Sequence, residues 1–139
     1  DHELEAVQDF EGFTGLTVTA TGSQQQLIHL NEAVAATPDG LIGEDAGIEI
    51  KCPQSITHLK YLTAHNATDL KVINPQNYWQ VQGLLYVSQR QHWFFVSYDP
   101  RFKSTDKQLH LFKVEPDPVD QALLAERLIL AIAYRNQLM

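Results

Sequence analysis

Two stretches decide the fold: Pro38-Asp39-Gly40 and Gly47-Ile48-Glu49-Ile50-Lys51. The second alternates apolar and charged residues and stops at Pro53, so it reads as a short strand. Successive strand side chains point to opposite faces, so Glu49 and Lys51 share one face, about 6.6 Å apart along it. Ile48 and Ile50 turn the other way, into a core; the apolar pair fixes the register and the register aims the charged pair outward. Pro38 and Asp39-Gly40 mark a sharp bend, from which Asp39 returns beside Glu49. Two carboxylates so placed repel each other, and a divalent cation relieves the repulsion. Mg²⁺ suits such a pair, because it takes one or two carboxylates and fills its other positions with waters and phosphate oxygens. The Ile50 carbonyl can add an oxygen. This chemistry fits phosphodiester hydrolysis, with Lys51 orienting the attacking water or stabilising the developing charge. The competing reading is an exposed hairpin whose Glu49–Lys51 ion pair is worth well under about 1 kcal/mol.

Outward from this segment the sequence predicts further elements. Asp1–Glu11 reads as the end of a helix, which Gly12 stops, Leu16–Thr21 as an alternating strand, and Gln26–Ala36 as a second strand. Gly22–Gln25 and Gly43–Gly47 read as turns. Ser55 can cap a helix over Ile56–His65. Asn74-Pro75 pairs an N-cap residue with proline at the first helical position and starts a helix to about Val87. Gln91–Tyr98 and Gln108–Glu115 are predicted strands, and Asp117-Pro118 opens a last helix to about Asn136. The order predicts an α/β (α+β) chain, a single domain over 1–139 with a central mixed five-stranded sheet flanked by helices.

Composition bounds the function. With 139 residues and 44% hydrophobic content the chain can bury a core. No apolar run approaches the roughly 18–20 residues needed to span a bilayer, so no membrane role is expected. Cys52 is the only cysteine, which excludes a disulfide framework or a cysteine-ligated zinc or iron–sulfur site within one chain, and fits a cytoplasmic setting. The net charge of −7 argues against a general polyanion binder. It is compatible with a nuclease, whose clustered carboxylates have their local field reversed by bound cations.

Taken together, Ala36-Thr37-Pro38-Asp39-Gly40-Leu41, Gly47-Ile48-Glu49-Ile50-Lys51-Cys52-Pro53, Gln80-Val81-Gln82 and Tyr98-Asp99-Pro100-Arg101 resemble the lambda-exonuclease or YqaJ-type viral recombinase nucleases of the PD-(D/E)XK superfamily. The likeness in order and spacing runs over nearly the whole chain. It implies a restriction-endonuclease-like core in which Asp39 and Glu49 bind Mg²⁺, with Mn²⁺ as a substitute, and Lys51 is catalytic. It also implies a 5′→3′ exonuclease on double-stranded DNA ends, acting beside a single-strand-annealing protein, with a homotrimer as the known assembly and a bacterial or phage-infected cell as the setting. Glu3 matches a family helix whose Glu faces the metal, although Val7 stands where the family has Arg; Glu5 is the alternative. Gln82 and Tyr86, four apart on one helix face, match a Gln-x-x-x-Tyr pattern whose Gln points to the active site, with Gln80 as the second choice. Relatives carry helical sequence upstream of Glu3, and a chain opening at Asp1 leads to the expectation that this segment is missing.

Arg101, Lys103 and Lys107 form a basic connector that either touches phosphates or is simply solvated. His58 and His65 read as surface or partly buried. Trp79, Trp93, Phe94, Phe95 and Phe112 read as core, and Cys52 as packing, since no histidine partner is evident. Two other functions compete: another PD-(D/E)XK endonuclease, and a non-catalytic DNA-binding fragment.

Overall fold

A computed structural model describes residues 2–31 and 34–139. Its elements are α1 (Glu3–Thr14), β1 (Ile28–Asn31), β2 (Val34–Ala36), β3 (Gly40–Ile42), β4 (Ala46–Lys51), α2 (Ser55–Tyr61), α3 (Ala67–Ile73), α4 (Pro75–Ser88), β5 (His92–Tyr98), β6 (Leu109–Val114) and α5 (Pro118–Leu138). The central sheet has the order β3-β4-β5-β6, with β4 and β5 parallel and both outer pairings antiparallel. The chain is thus the expected mixed α/β fold, but its central sheet has four strands rather than five.

The difference lies before Asp39. Leu16–Thr21 contributes one bridge, Thr19 to Leu41, because Ala20 adopts φ 56° and breaks the extended backbone. Glu11 stops Val18 from pairing further by accepting its N–H at 2.9 Å. The predicted strand Gln26–Ala36 divides into β1 and β2, which pair antiparallel as a separate two-stranded sheet. Residues 32 and 33 of that stretch, and Asp1 of the first predicted helix, lie outside the described residues.

Both faces of the sheet are covered. On one, Ala6, Val7 and Phe10 of α1 pack on Ile48, Ile50, Phe94 and Val96. On the other, Tyr61, Leu70, Tyr78, Val81 and Leu85 of the α2–α4 crossover pack on Trp93, Phe95, Phe112 and Val114. Each such fully buried side chain contributes about 1.5–3 kcal/mol relative to exposure. Gly47 pairs with Trp93 across β4 and β5, and a Cβ there would collide with the indole ring, so only glycine fits. α4 begins as its sequence dictates: the Asn74 side chain accepts the N–H of Asn77 at 3.1 Å and Pro75 fills the first turn. α5 is capped the same way by Asp117, which accepts from Asp120 N at 2.9 Å.

Candidate active site

β3 pairs with β4 so that Gly40 faces Ile48; one step further along this register Asp39 lies opposite Glu49. β3 ends there, and the N–H of Ile50 is taken up by Asp39 Oδ2 at 2.8 Å. The carboxylate thereby continues the ladder that the backbone leaves. Glu49 is only 3% exposed, on the sheet face covered by α4. Its charged partner is Lys51, whose Nζ lies 3.2 Å from Oε2 and also donates to Gln80 Oε1 on α4 at 3.1 Å. A continuous polar path therefore runs from Gln80 through Lys51 and Glu49 to Asp39 and Ile50. The expectation that Glu49 points outward is corrected: β4 is an inner strand with helices on both faces, so alternation there separates two buried faces.

The electrostatics follow from this burial. The Glu49 carboxyl is pushed up to about 8, first by desolvation, then by the charge of Asp39 and a hydrogen bond to it, with Lys51 partly opposing. Near neutral pH the Glu49 carboxyl therefore keeps its proton. Glu3 of α1 is also raised, by burial and then by Asp39, which places it on the same side of the site. Glu5 instead is exposed, 3.1 Å from His2 and receiving the Tyr98 hydroxyl at 3.4 Å. Among the described residues, no three His, Cys, Asp or Glu side chains are grouped so that they could hold a metal ion by themselves. Asp39 and Glu49 nevertheless bring hard oxygen donors together, with Glu3 near Asp39, and this is the donor chemistry that Mg²⁺ would accept.

Other residues singled out above go elsewhere. Gln82 is fully buried and not at the site: its amide donates to Glu115 O at 2.9 Å, and its Oε1 accepts from Asp117 N at 3.1 Å and Gln121 Nε2 at 2.7 Å. It ties α4 to the start of α5, while Gln80, the second choice, meets Lys51. Arg101 is neither a free cation nor simply solvated: it binds Asp99 Oδ1 through Nε at 2.8 Å and the Pro53 carbonyl through Nη2 at 2.8 Å. Ser55 donates to the other Asp99 oxygen at 2.6 Å. Burial alone would raise the Asp99 carboxyl, but Arg101 and Ser55 hold it down at about 2. This bracket fixes the chain as it leaves Lys51, and no sequence pattern on one element reveals it.

His58 is fully buried rather than superficial, accepting from the Ser97 hydroxyl at 2.7 Å and donating to Lys107 O at 2.7 Å. Cys52 is exposed rather than packed. Trp93, Phe94, Phe95 and Phe112 lie in the core as expected, and Trp79 is half-buried at its margin.

The fold has counterparts among solved structures. The chain covers 98% of its length on an alkaline exonuclease (LHK-Exo) from Laribacter hongkongensis, at 28% identity, a TM-score of 0.66 and 69% of that chain; the same enzyme has been solved in complex with dAMP. A phage-related exonuclease from Haemophilus somnus 129PT shares the fold over 99% of this chain and 68% of its own, with a TM-score of 0.72 at 15% identity. A comparison with curated proteins gives no significant match. The family model described as the YqaJ-like viral recombinase domain matches residues 1–91, a span that holds Asp39, Glu49, Lys51 and Gln80, and the chain accordingly belongs to the YqaJ-like viral recombinase domain family.

Proposed function

We propose that the protein is a Mg²⁺-dependent deoxyribonuclease, with Mn²⁺ as a substitute, that degrades double-stranded DNA from its ends in the 5′→3′ direction during phage-type recombination or repair. The observation that carries this reading is Glu49, buried beside Asp39 with its carboxyl raised to about 8 and in contact with Lys51. A buried carboxyl pair that cannot fully ionise alone is poised to exchange its proton for a cation. Family membership and the likeness to LHK-Exo support a nuclease role.

The metal would supply charge neutralisation at the scissile phosphate and an acidified water. Asp39 and Glu49 would hold it, with Glu3 and the Ile50 carbonyl completing the oxygen set. Glu49 must give up its proton for this, and release of Lys51 Nζ from Glu49 frees that ammonium for the phosphate. Gln80 Oε1 keeps the ammonium close by accepting one of its protons. Lys51 then orients the attacking water and stabilises charge that grows only in the transition state. A single-strand-annealing protein, a homotrimeric assembly and the cytoplasm of a bacterial or phage-infected cell belong to the same proposal; among the described residues no helix is long and apolar enough to cross a membrane.

The test uses a linear duplex labelled at the 5′ end of one strand or at its 3′ end. Mg²⁺-dependent release of the 5′ label before the 3′ label, lost in Asp39→Asn and Lys51→Ala, is the expected result. Release without a divalent cation, or release undiminished in both variants, would refute the proposal.

A further inference from the structure

Beside the candidate site lies a groove of about 430 Å³ between the β1–β2 sheet, α4 and α5. Its lining includes Thr37, Trp79, Gln80, Gly83, Tyr86 and Leu124. Two of these connect it directly to the site: Thr37 is two residues before Asp39, and Gln80 receives the Lys51 ammonium. We infer that this groove is a nucleobase subsite, in which an unstacked base of the DNA strand held at Asp39 and Glu49 lies against Trp79. The inference rests on the nuclease reading above and adds to it where the strand goes.

Three observations support a base as the occupant. First, in a chain of net charge −7, none of the described residues lining the groove is charged. Such a lining suits the flat uncharged part of a nucleotide rather than its phosphate. Second, Trp79 and Tyr86 are seven apart on α4 and therefore project on one side, with Gly83 between them. A Cβ at Gly83 would meet nothing within 4 Å, so the space between the two aromatic residues is open. Third, Trp79 is held before any ligand arrives: Tyr78 lies edge-on to it at 5.4 Å, and Lys71 Nζ sits 5.2 Å from its ring centre while paired to Asp120 at 2.9 Å. An aromatic ring fixed in this way loses little freedom when a base stacks on it. The amide of Gln80, at the mouth, offers a hydrogen-bonding edge to the base.

The protein also carries its own reporter. It has two tryptophans, and Trp93 is fully buried, so Trp79 is the one whose emission a bound base can quench. The experiment titrates labelled duplexes in Ca²⁺, reading DNA anisotropy and tryptophan emission together. Each duplex is intact or carries one abasic residue, stepped through the terminal positions. Stacking on Trp79 predicts quenching by intact duplex and loss of that quenching at one abasic position. That position should also bind roughly five- to hundredfold more weakly, the range measured when base stacking is removed. Trp79→Ala should lower affinity for intact duplex by a similar factor and make the abasic position irrelevant. Gly83→Leu, which fills the groove without removing any contact, should reproduce the loss even if Trp79→Ala folds poorly. Binding with unchanged tryptophan emission, or equal affinity of Gly83→Leu and the unaltered protein for intact duplex, overturns the subsite. Hydrolysis of the same duplexes in Mg²⁺ is scored separately, so the groove can fail while the nuclease reading stands.

Discussion

Raising the pH of the metal-free protein should destabilise it through one residue, Glu49. Its carboxyl moves from an ordinary 4.5 to about 8 on folding, chiefly through burial and Asp39. A raised carboxyl means that the folded state binds the proton more tightly than the unfolded chain. Its favourable contribution is therefore whole below the unfolded value and fades as pH rises through the interval between the two. With 1.36 kcal/mol per unit, the interval corresponds to about 5 kcal/mol in all, of which about 4 kcal/mol falls between pH 5 and pH 9. The assay is urea unfolding in EDTA across that range, for the unaltered protein and for Glu49→Gln. The difference in stability between the two should shift by about 4 kcal/mol across the range, and saturating Mg²⁺ should flatten it, since a bound cation favours the ionised pair. A constant difference from pH 5 to pH 9 would show that Glu49 does not carry a proton in the folded state and would refute the reasoning.

Gly83→Ala should raise thermal stability by about 1 kcal/mol, since glycine sits inside α4 and the added Cβ meets nothing. Gln82→Ala should destabilise the fold by about 2–4 kcal/mol in urea, because it strands the Glu115 carbonyl and the Asp117 N–H. The folded fraction of that variant should still turn over normally. Gln80→Ala should do the reverse, leaving stability within about 0.5 kcal/mol while slowing the chemical step. Asp99→Ala leaves Arg101 and Ser55 without their shared partner; because Arg101 is largely exposed and keeps the Pro53 carbonyl, a drop of about 1–2 kcal/mol in unfolding free energy is expected.

Local signals read well where local chemistry decides. Asn74-Pro75 and Asp117-Pro118 start helices because their side-chain caps and proline geometry depend on a few adjacent residues. The strand at Gln91–Tyr98 is recovered as His92–Tyr98, and Asp39, Glu49 and Lys51 meet because a tight β3–β4 hairpin brings them together. Other features depend on distant packing. Glu49 looks outward-facing in an alternating strand, and its burial follows from α4, which closes over β4 only in three dimensions. Gln80 and Gln82 are two apart and so lie on nearly opposite sides of a helix. The apolar stripe Tyr78, Val81, Leu85 includes position 82 by its i+3, i+4, i+7 spacing, and that signal assigns Gln82 to the interior and Gln80 to the site. α3 carries little sequence signal although Asn66 caps it, accepting from Asp69 N at 2.9 Å, because seven residues offer little periodicity. The Asp99–Arg101–Pro53–Ser55 bracket joins segments far apart in the chain, beyond the reach of any single pattern.

The proposed end-dependent, metal-dependent nuclease is tested most directly by incubating the protein with equal amounts of linear and covalently closed circular duplex in one tube, with Mg²⁺ or with EDTA. Loss of the linear DNA alone, in Mg²⁺ alone, is the predicted result. Nicking of the closed circle at a rate similar to loss of the linear form would contradict the exonuclease reading and favour an endonuclease built on the same site.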